Sequence, residues 1–258
     1  MTKAAAATRG RDTGGDERDR RPAIVFLHGT RLSGAQWASQ VAALGGEFRC
    51  LAPDLPGHGS AAETPFSLDG AAADVRRTID EAGGRAVLVG LSLGGYVAME
   101  VAARWPERVA GLVLAGATAE PVGARSLLYR GLAATFDLLP EPFLDRVNRW
   151  YFGALFPPEI SEPLVAGGFH FRGGATALQA LVGELFVPRL ARYPGPVLIL
   201  TGEFDLLFRL SSRRFAEAAA NARRVLVPRA THLTNLDQPE LFSGAVRRFV
   251  REAVVPME

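Results

Sequence analysis

Short runs with almost no polar residues alternate along this chain with amphipathic stretches of helical length. The runs are Ala23–Leu27 (AIVFL), Phe48–Ala52, Ala86–Leu91 (AVLVGL), Val109–Ala115 (VAGLVLA), Val197–Leu200 and Arg224–Val227. Between them lie segments of helical character: Ser33–Leu44, Leu68–Ala82, Gly94–Trp105, Ser212–Asn221 and a final one at Pro239–Val254. A strand that is apolar on both faces must be covered on both faces, and a helix between successive strands makes them parallel. The expected fold is α/β: a mainly parallel sheet of six or more strands flanked by helices.

The rhythm breaks between Thr118 and Tyr193, where Leu, Phe, Pro and Gly dominate and Trp150, Tyr151 and Phe152 stand together. A long insertion between two core strands is usually functional, and an aromatic-rich one over the strand ends would line an apolar pocket. Residues 118–193 are therefore expected to form a helical cap inserted into a core made of 22–117 and 194–258. The mixed charges and scarce large apolar side chains of residues 1–21 cannot offset the entropy of ordering, so a disordered tail is expected there.

Formal net charge is only +2, with basic and acidic residues interspersed, and no stripe suited to nucleic acid stands out. The start of the chain has no apolar run long enough for a signal-peptide core or a membrane span. The single cysteine, Cys50, lies in an apolar stretch and excludes an internal disulfide. A cytoplasmic protein acting on a small-molecule substrate, without nucleic acid or membrane, is expected; oligomeric state stays open. No metal-ligand cluster, Walker loop or dinucleotide fingerprint is present, so no cofactor and no metal are implied.

Gly90-Leu91-Ser92-Leu93-Gly94 fits G-x-S-x-G directly after an apolar strand and at the start of a helical run. That context makes it a nucleophile elbow, in which a sharp turn lifts the serine above the sheet and tolerates only small neighbours. A serine hydroxyl needs a base to take its proton as it attacks. His232, in the loop after the last strand, is the candidate, because His28 and His58 sit in turns where an imidazole commonly holds backbone and His170 lies in the insertion. Asp205, after the strand that ends near Gly202, completes the order serine, acid, histidine; Glu203 and Glu120 are its rivals. Asp237 is expected to cap the last helix.

Acyl transfer also places negative charge on the carbonyl oxygen, which calls for preorganised donors. The backbone N–H of Leu93 is one, at a helix N-terminus. The loop His28-Gly29-Thr30-Arg31 would supply the other, with Thr30 the expected donor and Arg31 its near rival. Arg31, Trp150 and His170 are expected to contact substrate.

These residues resemble the α/β-hydrolase superfamily from about Pro22 to the C-terminus. Four blocks carry the likeness: His28-Gly29 with Trp37 downstream, Asp54-Leu55-Pro56-Gly57-His58-Gly59-Ser60, the elbow around Ser92, and Gly202-Glu203-Phe204-Asp205 followed by His232 and Pro239-Glu240. Within the superfamily they are similar to the capped group of carboxylesterases, enol-lactonases, cofactor-free perhydrolases and C–C hydrolases. The resemblance implies a serine hydrolase that cleaves a carboxylic ester or lactone of a small, largely apolar substrate through an acyl-serine. C–C bond hydrolysis, a tailoring step on a larger metabolite, thioester cleavage and a non-catalytic ligand receptor are the alternatives.

The chain departs from the family pattern in three places. No strand pattern precedes Ala23 where the family usually has a hairpin, Thr231 replaces the common glycine before the histidine, and Leu91 stands where many lipases have histidine. A serine at the elbow disfavours the dehalogenases and epoxide hydrolases of this fold, which use aspartate there.

Overall fold

Residues 21–254 are described by a computed structural model. The tail expected at 1–21, and the question of a missing hairpin, fall outside the described residues except for Arg21, whose guanidinium donates to the Gly45 carbonyl (2.6 Å).

Six strands form one sheet: β1 (Ala23–Leu27), β2 (Arg49–Leu51), β3 (Ala86–Leu91), β4 (Val109–Ala115), β5 (Pro196–Gly202) and β6 (Asn221–Val227). Their order is β2-β1-β3-β4-β5-β6 and every pairing is parallel. Helices α1 (Ala38–Leu44), α2 (Leu68–Glu81) and α3 (Leu93–Arg104) connect the first four strands. Between β4 and β5 stand α4 (Ser126–Leu138), α5 (Glu141–Leu155), α6 (Pro158–Ala166), α7 (Phe171–Leu181) and α8 (Val187–Leu190). The chain then runs through α9 (Leu206–Ala218), β6, α10 (Thr234–Asp237) and α11 (Pro239–Val254). None of the described helices is long and apolar enough to cross a membrane.

The period of two along each strand divides the core into two layers. Val25, Leu27 and Leu88 face one layer with α2, α3 and the insertion; Ile24, Phe26, Val87 and Val89 face the other with α1 and α11. In the second layer Trp37 packs between Phe26 and Phe242, at ring separations of 5.1 and 5.7 Å. Each such fully buried side chain contributes about 1.5–3 kcal/mol of transfer free energy, which fixes the register of the central strands.

The described boundaries differ from the sequence reading at α9, expected over Ser212–Asn221. The helix begins six residues earlier because its buried face is Phe208, Ser211, Ser212 and Phe215, a helical spacing in which two members are serines. Asn221 accordingly opens β6.

A wholly parallel sheet delivers all its carboxyl ends to one edge, where ligands of such sheets bind. That edge carries the loop Gly29–Leu32 after β1, Ser92 after β3, Gly116 after β4, Asp205 after β5 and His232 after β6.

Candidate active site

Ser92 adopts φ 52° and ψ −115°, a backbone region that non-glycine residues enter only when their surroundings enforce it. Two features enforce it here. The Ser92 N–H donates to the Ala115 carbonyl at the end of β4 (2.8 Å), and α3 begins at the next residue. Gly94 is required because a Cβ there would collide with the Leu27 carbonyl of β1, so helix and sheet could not approach this closely.

His232 stands in the loop between β6 and α10. Its Nδ1 lies 2.9 Å from Asp205 Oδ2, and the Phe208 ring covers it at 4.8 Å between centroids. Asp205 is buried, whereas the His232 side chain is about one-third exposed (35%). Backbone bonds from Glu203 N–H to Val227 O (3.0 Å) and from Phe204 N–H to Ala230 O (2.9 Å) tie the two loops together.

The rival carboxylates are engaged elsewhere. Glu203 accepts from the Arg229 N–H (2.8 Å), and Glu120 accepts from the N–H groups of Phe186 and Val187 at the start of α8 (2.7 and 2.9 Å). Asp237 ends α10, and its carboxylate accepts from the N–H and the hydroxyl of Thr231 (both 2.6 Å). The residue expected to cap the last helix thus braces the histidine loop, and the hydroxyl of Thr231 makes a second bond to it that a glycine at this position could not.

Gly116, unremarked in the sequence, lies directly beneath the imidazole. At φ 55° it occupies the left-handed region, and a Cβ there would come within 2.6 Å of His232 Cε1 and 2.8 Å of Nδ1. The local sequence Ala115-Gly116-Ala117 carries a signal only in its position at a strand's carboxyl end.

The β1 loop is held by buried polar groups. Gly29 N–H donates to Gln36 Oε1 (2.8 Å), and Gln36 joins Gln40 and Asn235 in a network that also reaches the segment following His232. His28 donates from Nδ1 to the Gly29 carbonyl and accepts at Nε2 from Leu55 N–H (both 2.9 Å). His58 donates to Pro56 O (2.9 Å) and accepts from Arg31 N–H (3.2 Å). Burial, reinforced by the neighbouring imidazoles, lowers His28 to about 3 and His58 to about 4, so both are neutral props at neutral pH.

Arg31 N–H is therefore engaged by His58. Among the described residues the N–H groups of Thr30 and Leu93 meet no acceptor. The Thr30 hydroxyl donates to the Gly174 carbonyl of α7 (3.3 Å), which links the loop to the insertion.

Ser92 and His232 line one cavity of about 180 Å³, together with Thr30, Arg31, Tyr129 and Leu178. The structure therefore brings Thr30, Arg31, Ser92 and His232 to one space, with Asp205 behind the imidazole. Two expected substrate contacts are not brought there. Trp150 is 72% exposed on α5, on the face opposite the buried Leu144 and Phe152. His170 packs its ring 6.1 Å from that of His58, and its N–H donates to the Arg31 carbonyl (2.8 Å), so it stands behind the cavity wall. Counting aromatic residues in a segment does not tell which helix face they occupy. A larger groove of about 450 Å³, beside α6 and α10, contains neither Ser92 nor His232.

The sequence profile described as "Alpha/beta hydrolase family" matches residues 24–245. The chain is 27% identical over 241 residues to 3-oxoadipate enol-lactonase 2 of Acinetobacter baylyi, covering 90% of this chain and 89% of the relative. It is 31% identical over 244 residues to the pimeloyl-[acyl-carrier protein] methyl ester esterase of Edwardsiella ictaluri, covering 88% and 92% respectively. The solved structure of the enol-lactonase from Burkholderia xenovorans LB400 superposes with a TM-score of 0.77 at 26% identity, over 92% of this chain and 94% of that one.

Proposed function

Since the chain belongs to the alpha/beta hydrolase family, we propose that it is a serine hydrolase that opens a carboxylic ester or lactone of a small-molecule substrate at Ser92. The contact that carries this reading is His232 Nδ1 to Asp205 Oδ2 at 2.9 Å, with the imidazole and Ser92 on the same cavity. With Nδ1 donating to the carboxylate, Nε2 is the ring nitrogen left to accept a proton.

In the proposed mechanism the Ser92 hydroxyl attacks the substrate carbonyl as His232 takes its proton, and buried Asp205 stabilises the imidazolium. The N–H groups of Leu93 and Thr30 form the oxyanion hole, and both are uncommitted within the fold. Collapse of the tetrahedral adduct expels the alkoxide, which takes the proton from His232. Water, deprotonated by the same imidazole, then cleaves the acyl-serine.

The leucine-lined walls and modest volume suit a small, largely apolar substrate, with α4–α8 acting as a cap that excludes water. Relatives named as a lactonase and a methyl ester esterase support the bond type. A cytoplasmic location is part of the same reading, on the ground of the single cysteine.

The test is Ser92→Ala. Turnover of 4-nitrophenyl acetate should vanish while the thermal midpoint holds, and wild-type protein should gain one fluorophosphonate adduct on Ser92 by mass spectrometry. Undiminished turnover by Ser92→Ala would refute the assignment.

A further inference from the structure

Arg31 carries the one permanent charge among the residues that line the Ser92 cavity, and the fold invests in placing it. Its φ of 59° is a left-handed conformation that an arginine does not adopt unaided. Hydrogen bonds grip the residue on both sides: its N–H donates to His58 Nε2 (3.2 Å) and its carbonyl accepts from His170 N–H (2.8 Å). The residue so held directly follows Thr30.

The guanidinium is only partly exposed, and it meets a neutral partner. Nε donates to Asn148 Oδ1 (2.9 Å), and that amide is itself oriented by its bond to the Leu144 carbonyl (2.8 Å). The Tyr151 phenol, uncharged at neutral pH, also stands in its surroundings, and burial holds the arginine below its usual range. No carboxylate among the described residues forms an ion pair with it. Elsewhere the fold treats a sheltered arginine differently: the half-buried Arg189 is paired with Glu100 and Glu184. A sheltered guanidinium with a single neutral acceptor keeps several donors available in a fork that matches a carboxylate.

Resting on the hydrolase reading above, we infer that Arg31 is the anion-binding residue of this site and that the natural ester or lactone carries a free carboxylate a few carbons from the scissile carbonyl. Arg31 then fixes the far end of the substrate while Thr30, its neighbour in the chain, serves the carbonyl. One rigid loop thereby sets the distance between the two groups, and an uncharged ester of equal length lacks the second anchor.

Two matched substrate pairs test this. One is 4-nitrophenyl hydrogen adipate against 4-nitrophenyl hexanoate, with the charge on the acyl side; the other is 4-acetoxybenzoate against 4-methylphenyl acetate, with the charge on the leaving group. In one pair the carboxylate should raise kcat/KM by roughly 10–100-fold, the size of a charge-assisted hydrogen bond, acting mainly through KM. Arg31→Gln should bring that ratio close to one, and Arg31→Lys, which keeps the charge without the planar fork, should restore part of it.

Equal rates within both wild-type pairs would overturn the inference and leave the hydrolase reading standing. A parallel loss on charged and neutral members in Arg31→Gln would also overturn it, since that marks a strut for the loop. If neither pair is cleaved and Ser92 takes no fluorophosphonate, the hydrolase reading fails. Calorimetric titration of Ser92→Ala with adipate then decides Arg31 alone: binding that disappears in the double variant with Arg31→Gln supports it, and absence of binding refutes it.

Discussion

Replacing Gly116 by alanine probes the placement of the imidazole without touching any group proposed to react. The added methyl would stand 2.6 Å from His232 Cε1 and 2.8 Å from Nδ1, with Asp205 Oδ2 at 3.5 Å. Carbon atoms rest at about 3.5–4 Å, so the ring must retreat by roughly 0.8 Å or more. Retreat by that distance takes the 2.9 Å contact between Nδ1 and Asp205 beyond hydrogen-bonding range. A displacement of this order costs about 100-fold in rate, or about 2.7 kcal/mol in the barrier.

The effect on folding should be smaller. An alanine held at φ 55° costs about 1–2 kcal/mol, which in a domain of this size lowers the thermal midpoint by roughly 2–8 °C. The measurement pairs kcat on 4-nitrophenyl acetate with a melting curve and the rate of Ser92 labelling by a fluorophosphonate. A variant that melts a few degrees lower yet retains kcat within about threefold would refute the reasoning, because the imidazole would then not need the position that Gly116 leaves open.

Asp205→Asn should keep the fold but offer Nδ1 an amide in place of a carboxylate, lowering kcat by about 10³–10⁴-fold at neutral pH; loss below tenfold would count against its role. Stability should decline on mild acidification because of His28 and His58. Their folded values of about 3 and 4 lie below the unfolded value near 6.5, so the unfolded chain binds more protons between them. Stability from their burial is complete above about pH 6.5 and is lost as pH falls toward 4, at about 2 kcal/mol per histidine between pH 7 and 5. Urea unfolding at the two pH values measures this, and His58→Asn should flatten the dependence it retains; a profile flat over that range in the wild type would contradict the assigned burial.

The parts of this site that were legible in the sequence are those set by short-range sterics. Ser92 could be found because an apolar strand, a glycine-flanked serine and a helix start are contiguous, and the same patterning located all six strands. Asp205 and His232 could be ordered along the chain, but their pairing depends on β5 and β6 lying side by side. Thr30 could be preferred to Arg31 from its place in the loop, but that His58, brought in from another loop, takes the Arg31 N–H is visible only in the fold. Gly116, Gln36 and Asn235 escaped notice because their roles exist only across long sequence separations. Trp150 misled for a related reason: α5 buries Leu144 and Phe152 and turns the tryptophan outward.

The insertion departs from the sheet at the end of β4 and returns at the start of β5, and those strands are direct neighbours, with Leu112 beside Val197 and Leu114 beside Ile199. Its two roots are thus clamped by the backbone ladder irrespective of what the intervening helices contain. Ser92 belongs to the stretch before it, and Asp205 and His232 to the stretch after it. Exchanging the whole segment for one of different length would reshape the chamber while leaving the groups proposed to react on their own scaffold, which makes this junction a natural place to graft new selectivity onto the chain.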